Sequence, residues 1–397
     1  MSRWIVLKAV TSLIDESGVP EQPPGRFALL WHIILGSLAI VFRRQNVAVL
    51  PTKVHVGARE TVFTECPTLN DVLFTSVRHR RPAFVLPGTL APVCRYFGVD
   101  HDRVLTLRCS SSGLAICFGH LHGMEVVVHA SMNGDGKWVA RQFEGAKIGR
   151  QLVGALGPDI IDGNSAHLIT ARVSGRPITP WQLTEDRLQA AILAALEPLK
   201  HIFDSGHWTG HPDDELIDEL QSYVMRSSHQ AQLQPALDLL KQWDRTHVKT
   251  VAVHGDYWLN NILFSKGHVT GIVDWDRTRA NGCAGIDALH LAFMSYAMWS
   301  GIPVSELLAD VCTDNWHFPW LSSYCALIEE AFSLSSNDLR YLAILLWLSY
   351  FPFYDELHPD VQSNHSSGAA DWYTQMSSPM CEALLRMQCQ PAVCRGA

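Results

Sequence analysis

Asp256, Asn261 and Asp274 are the residues of this chain whose types and spacing could do chemistry. The first two fall in His254-Gly255-Asp256-Tyr257-Trp258-Leu259-Asn260-Asn261, the third in Val273-Asp274-Trp275-Asp276. A phosphate-bound Mg²⁺ takes oxygen ligands, commonly one or two of them from protein. The Asn261 carbonyl and the Asp274 carboxylate meet that need. Asp256 precedes Asn261 by five residues. A carboxylate there is placed to accept the proton of a hydroxyl while that oxygen attacks a terminal phosphate. Taken singly, each residue is ordinary turn chemistry. Their conjunction points to magnesium-dependent phosphoryl transfer from a nucleoside triphosphate.

The elements that must position these side chains are short strands. Residues 251–253 read as a buried strand that breaks at His254-Gly255-Asp256. Residues 262–264 and 269–273 are apolar and β-branched, the composition of strands. Ser265-Lys266-Gly267-His268 between them is turn chemistry. A hairpin folded about Lys266-Gly267 sets Asn261 opposite Ile272 or Val273 and makes Asn261 and Asp274 neighbours.

With these motifs in place, the sequence resembles the aminoglycoside phosphotransferase family, relatives of the protein kinases that act mostly on small molecules. The matching residues are His254-Gly255-Asp256, Asn261, Asp274-Trp275-Asp276 and Gly285-Ile286-Asp287-Ala288-Leu289. The resemblance implies Asp256 as catalytic base, Asn261 and Asp274 as ligands of Mg²⁺, and ATP or GTP as co-substrate. It also implies that Asp287, near the start of a buried helix, braces the catalytic loop together with His254. Upstream, Leu168 to Pro177 is similar to the family's interlobe hinge, where the backbone from Ala171 to Val173 would meet the adenine edge. The implied fold is α+β and protein-kinase-like. It has two lobes, a small sheet-rich N-lobe and a larger helical C-lobe, with nucleotide between them.

The chain departs from this family on the strand that normally carries a phosphate-gripping lysine. In Met124-Glu125-Val126-Val127-Val128-His129-Ala130-Ser131, Ser131 falls at the lysine position, with His129 two residues before it. Glu144 is the candidate helix glutamate, without its usual partner. Lys137, Lys147, His120 and His122 are the alternative sources of a cation. Ser112 and Gly113, in the turn between residues 104–107 and 115–118, are the candidate phosphate-covering loop. An ordinary hairpin turn competes with that reading.

Composition narrows the class. The chain has 397 residues, 47% of them hydrophobic and 18% charged, which is enough for two lobes with a large core. A net charge of −8 and the absence of a long basic run argue against a nucleic-acid partner. Ten cysteines without a C-x-x-C pair, and no evident secretory signal, favour free thiols and a cytoplasmic setting. The apolar run from Phe27 to Phe42 is shorter than the ~20 residues of a membrane span. It reads as a buried or partner-docking helix, with a membrane-associated segment as the less expected alternative.

The expected organisation has three parts. Residues 1–60 form an N-terminal extension with the apolar helix, 61–172 the nucleotide-binding N-lobe, and 173–397 the catalytic and substrate-binding C-lobe. One helix is expected near residues 147–156. Helices are also expected from Thr184, with Leu188, Ala191, Ile192, Ala195, Leu196 and Leu199 on one face, over 286–298, and over 339–350. The expected activity is transfer of the γ-phosphate of ATP or GTP to a hydroxyl of a small molecule, such as a sugar or aminoglycoside. A nucleotide-binding pseudokinase or scaffolding protein, motivated by Ser131, and a protein kinase are the alternatives. The acidic groups at 213–215, 218–219 and 355–356 read as solvated faces rather than a cation-binding surface.

Overall fold

The computed structural model describes residues 106–109, 114–131, 136–205, 214–357 and 367–389. The apolar run of the N-terminal extension, and Ser112 and Gly113, lie outside these residues. The described part divides into two units, each with its own packing. Residues 106–143 and 160–172 make the first, and 144–159 with 173–389 the second. One boundary between the units follows Arg172. The helix that crosses residue 144 is shared between the units rather than kept within the first.

The first unit is an antiparallel sheet of β1 (Thr106–Cys109), β2 (Leu114–Leu121), β3 (Met124–Ser131), β4 (Ile160–Gly163) and β5 (His167–Ala171), in the order β1-β2-β3-β5-β4. Between β3 and β4 runs helix α1 (Lys137–Val153). It starts ten residues earlier than the sequence suggested. Alternation explains the sheet's one-sided core: Val126, Val128 and Ala130 are buried on one face of β3. The β2–β3 turn is His122-Gly123, both with positive φ. That conformation suits a two-residue hairpin and turns His122 outward to solvent.

The second unit is mainly helical. A three-stranded sheet joins β6 (Arg176–Pro177), β8 (Ile262–Ser265) and β9 (His268–Ile272), and a two-stranded one joins β7 (Thr250–Val253) and β10 (Arg279–Cys283). Around them stand α2 (Glu185–Asp204), α3 (Asp214–Arg226), α4 (Gln230–Gln242), α5 (Ile286–Ser300), α6 (Val304–Thr313), α7 (Pro319–Phe332), α8 (Ser336–Leu357) and α9 (Ser367–Cys389). The face of α2 read from its periodicity is buried throughout, from Leu188 to Leu199. Helix α5 is buried nearly all round and forms the centre of the core. Cys283, Cys312 and Cys325 are buried free thiols. Among the described residues no helix is long and apolar enough to cross a membrane.

Two of the acidic residues have partners on other elements of the chain. Glu219 on α3 accepts from Arg279 at 2.5 Å, and Asp355 accepts the Tyr223 hydroxyl at 2.6 Å.

Candidate active site

Strand β7 runs into His254-Gly255-Asp256, and the turn there is held by one carboxylate. Asp287, in the first turn of α5, accepts the backbone N–H of His254 at 2.6 Å and of Gly255 at 3.0 Å. Two buried amides that would otherwise lack partners are thereby satisfied. Burial raises the Asp287 pKa to about 6, against the pull of those two donors. Gly255 has φ +78°, and a Cβ there would come within 2.3 Å of the Arg277 carbonyl oxygen. Only glycine suits that position.

His254 links this turn to the strand that precedes Asp274. Its Nδ1 accepts the Asp256 N–H at 3.2 Å, so Nε2 carries the proton donated to the Val273 carbonyl at 3.0 Å. Burial lowers its pKa to about 4, which keeps the ring neutral.

Asn261 is oriented by two bonds from one atom. Its Nδ2 donates to the main-chain oxygen and to Oδ2 of Asp256, both at 2.9 Å. The amide Oδ1 is thus the atom of Asn261 left for a cation. The hairpin register pairs Ile262 with Ile272, and Val273 N–H donates to the Asn261 carbonyl at 2.9 Å. The turn at its tip is Lys266-Gly267, both in the left-handed region. Asp256, Asn261 and the residue just before Asp274 are therefore joined by direct bonds. Asp274 itself has φ +70°, an uncommon backbone for a non-glycine residue and one that recurs at functional sites.

Trp275 anchors this segment. Its ring is 2% exposed, its Nε1 donates to the Ile272 carbonyl at 2.8 Å, and it lies 4.5 Å from the His254 ring. The other wall is α1. A Cβ added at Gly145 would fall 1.8 Å from the Trp275 carbonyl oxygen, and one at Gly149 would fall 2.4 Å from its ring. The two glycines, one helical turn apart, let the helix backbone approach the metal-loop candidate.

The remaining sequence-predicted residues belong to other elements of the two units. Ser131 closes β3, paired with Leu114. Glu144 is exposed and pairs with Lys147 at 2.8 Å, so both of these candidates are engaged with each other. His129 is buried, its pKa lowered to about 4 by that burial, and supplies no charge at neutral pH. Ala171 ends β5 opposite Val126, and the next N–H, of Arg172, is committed to the Glu125 carbonyl at 2.9 Å. Val173 opens the second unit, where it packs over Gly271.

Three residues near Asp256 escaped the sequence reading. His290 on α5 puts Nε2 at 3.8 Å from Asp256 Oδ1. Tyr350 on α8 stands edge-on to His290, with ring centroids 5.8 Å apart. Arg277 stacks its guanidinium 3.5 Å over the Phe353 ring. His290 was hidden in a helix that is apolar nearly all round, and the only signal was a histidine three residues after Asp287.

The two neutral rings set an acid limit on stability. His254 and His290 both have pKa values lowered from 6.5 to about 4 by burial. The unfolded chain binds these protons below about pH 6.5 and the folded chain only below about 4, so stability falls as pH drops through that window. Asp287, raised to about 6, acts with the opposite sign below pH 6 and offsets part of the loss. For these three groups together the expectation is a stability about 2 kcal/mol lower at pH 5 than at pH 7. Urea midpoints at the two pH values measure it, and equal midpoints would contradict neutral burial of the rings.

Known proteins resemble this chain in part of its sequence and in its fold. The family described as "Phosphotransferase enzyme family" (APH) matches residues 167–322. No curated protein matches the chain. Among solved structures, a Ralstonia eutropha protein described as an aminoglycoside phosphotransferase aligns with TM-score 0.50 at 15% identity, over 75% of this chain and 98% of that one. A thermostable mutant of aminoglycoside phosphotransferase APH(4)-Ia gives 0.49 at 18% identity, over 75% and 99%. Aminoglycoside phosphotransferase APH(3'')-Id from Streptomyces rimosus gives 0.45 at 17% identity, over 68% and 96%. The chain has a protein-kinase-like α+β fold. The stretch that matches the phosphotransferase enzyme family, 167–322, contains the hairpin and the Asp287 clamp.

Proposed function

We propose that the protein transfers the γ-phosphate of ATP or GTP to a hydroxyl of a small molecule. The observation that carries this reading is the pair of bonds from Asn261 Nδ2 to Asp256. They fix a carboxylate beside an amide oxygen at the mouth of a hairpin whose other strand leads into Asp274. In the proposed step, the acceptor oxygen bonds to the γ-phosphorus as the bond from that phosphorus to the bridging oxygen breaks. The nucleoside diphosphate leaves, and the hydroxyl proton passes to the Asp256 carboxylate and then to solvent.

The donor set fits a hard divalent cation, because the atoms presented are an amide oxygen and a carboxylate. Asn261 Oδ1 and Asp274 would hold Mg²⁺, which supplies neutralisation of phosphate charge. Asp287 and His254 keep the loop in register. Ala171 and Val173 are the peptide positions assigned to the adenine edge, and Ser112, Gly113 and Ser131 remain the candidates around the phosphates. Glu144 joins them only if its bond to Lys147 is given up.

A second reading rests on one specific observation. Neither His129, which is neutral, nor Ser131 offers a permanent cation on β3. This favours a nucleotide-binding protein with slow turnover.

The test is incubation with γ-labelled ATP and GTP, Mg²⁺ and a panel of sugars, aminoglycosides and amino alcohols, alongside thermal shift with each nucleotide. Label in a small molecule is the expected result. A thermal shift without product on the panel supports the second reading, label in polypeptide supports a protein kinase, and no shift with any nucleotide contradicts all of them.

A further inference from the structure

Both nitrogens of His290 and the hydroxyl of Tyr350 are buried side-chain atoms with no hydrogen-bond partner among the described residues. His290 is 1% exposed and Tyr350 7%. Unpaired buried polar atoms are costly and uncommon, and one that persists in a folded protein calls for an explanation. These two residues come from different helices, α5 and α8, and their rings meet edge to face. The carboxylate of Asp256 stands beside the ring, with Oδ1 3.8 Å from His290 Nε2.

The charged and titratable groups that act on His290 are Asp256, Arg277 and His254; burial, joined by Arg277 and His254, outweighs the opposing pull of Asp256. The ring is therefore neutral and carries one proton. A carboxylate facing Nε2 selects the tautomer with that proton on Nε2. Asp256 is already held at Oδ2 by Asn261. Its side chain is 22% exposed, which leaves it room to turn. A movement of about 1 Å would bring Nε2–H and Oδ1 to hydrogen-bond distance, and such contacts commonly tighten only once substrate is bound.

We propose that His290 is a positioning residue for the phosphoryl transfer: its neutral Nε2–H holds Oδ1 of Asp256 opposite the grip of Asn261 on Oδ2, with Tyr350 packed behind the ring. The carboxylate is then fixed at both oxygens, and its remaining lone pairs face the acceptor hydroxyl. The inference rests on the assignment of Asp256 as base and extends it to a residue on the buried helix.

Two measurements test it. The first does not depend on turnover. In protein labelled with ¹⁵N-histidine, the His290 signals are identified by their loss in His290→Gln. They should report a neutral ring protonated at Nε2 at pH 7, and the Nε2 shift should move in Asp256→Asn. A ring protonated at Nδ1, or a charged ring, overturns the proposal.

The second is kinetic. His290→Leu should lower kcat about tenfold to a hundredfold with the nucleotide KM unchanged. His290→Gln, which returns an N–H near the Nε2 position, should recover most of the loss. Wild-type kcat in His290→Leu, or no recovery in a folded His290→Gln, overturns it. Failure of the base assignment looks different, since Asp256→Asn would then turn over like wild type whatever His290 does.

Discussion

Asp256→Asn lowers kcat about 10²–10⁴-fold, the range for removing a positioned general base, while affinity for the magnesium nucleotide stays within about threefold. The separation follows from the geometry. Asn retains an oxygen and a similar volume, so the Asn261 amide keeps an acceptor both in the side chain and in the Asp256 main chain. The clamp of Asp287 on His254 and Gly255 uses backbone atoms that the substitution does not touch. What is lost is the ability to take a proton from the acceptor hydroxyl. Steady-state kinetics with the acceptor found on the panel, and nucleotide titration by calorimetry, read the two effects separately. Unchanged turnover would remove Asp256 from the mechanism.

Gly145→Ala, remote from the carboxylates in sequence, is expected to be nearly as damaging. The new methyl group would sit 1.8 Å from the Trp275 carbonyl oxygen and 2.7 Å from its carbonyl carbon. Both are backbone atoms, so no side chain can rotate away. Either α1 or the Asp274-Trp275 segment must move by more than 1 Å, and displacements of that size cost about a hundredfold in rate. In an exposed helix the same change would gain up to ~1 kcal/mol from propensity. Here overpacking of about 1–3 kcal/mol opposes it. The expected result is a folded, slightly less stable protein with kcat reduced about a hundredfold. Gln151→Ala, an exposed position on the same helix, should be silent in both assays. A fully active Gly145→Ala protein would mean that the contact of α1 with Trp275 does not set the position of Asp274.

The candidate hairpin was more legible in the sequence than its supports, for physical reasons. The register of β8 and β9 is encoded locally by Lys266-Gly267 and by alternating β-branched residues, so the adjacency of Asn261 and Val273 could be read directly. The buried face of α2 followed from helical periodicity, and the burial of α5 from its all-round apolar composition. The start of α1 could not be read in this way. Gly145 and Gly149 weaken its helical signature, and their purpose, close approach to Trp275, is a long-range fact. The Lys147–Glu144 pair is likewise a helical i, i+3 contact that competes with any partner on β3. His290 and Tyr350 carry no local signal, because their significance lies in which helices pack together rather than in spacing along the chain.

The central claim is that Asn261 and Asp274 share a divalent cation beside Asp256. The most direct measurement is anomalous diffraction from crystals grown with Mn²⁺ and a non-hydrolysable ATP analogue. The account predicts a manganese peak at about 2.0–2.4 Å from Asn261 Oδ1 and from an Asp274 oxygen, with the terminal phosphate on the side of Asp256. A peak bound elsewhere, or a nucleotide ordered without metal at these two residues, would contradict it.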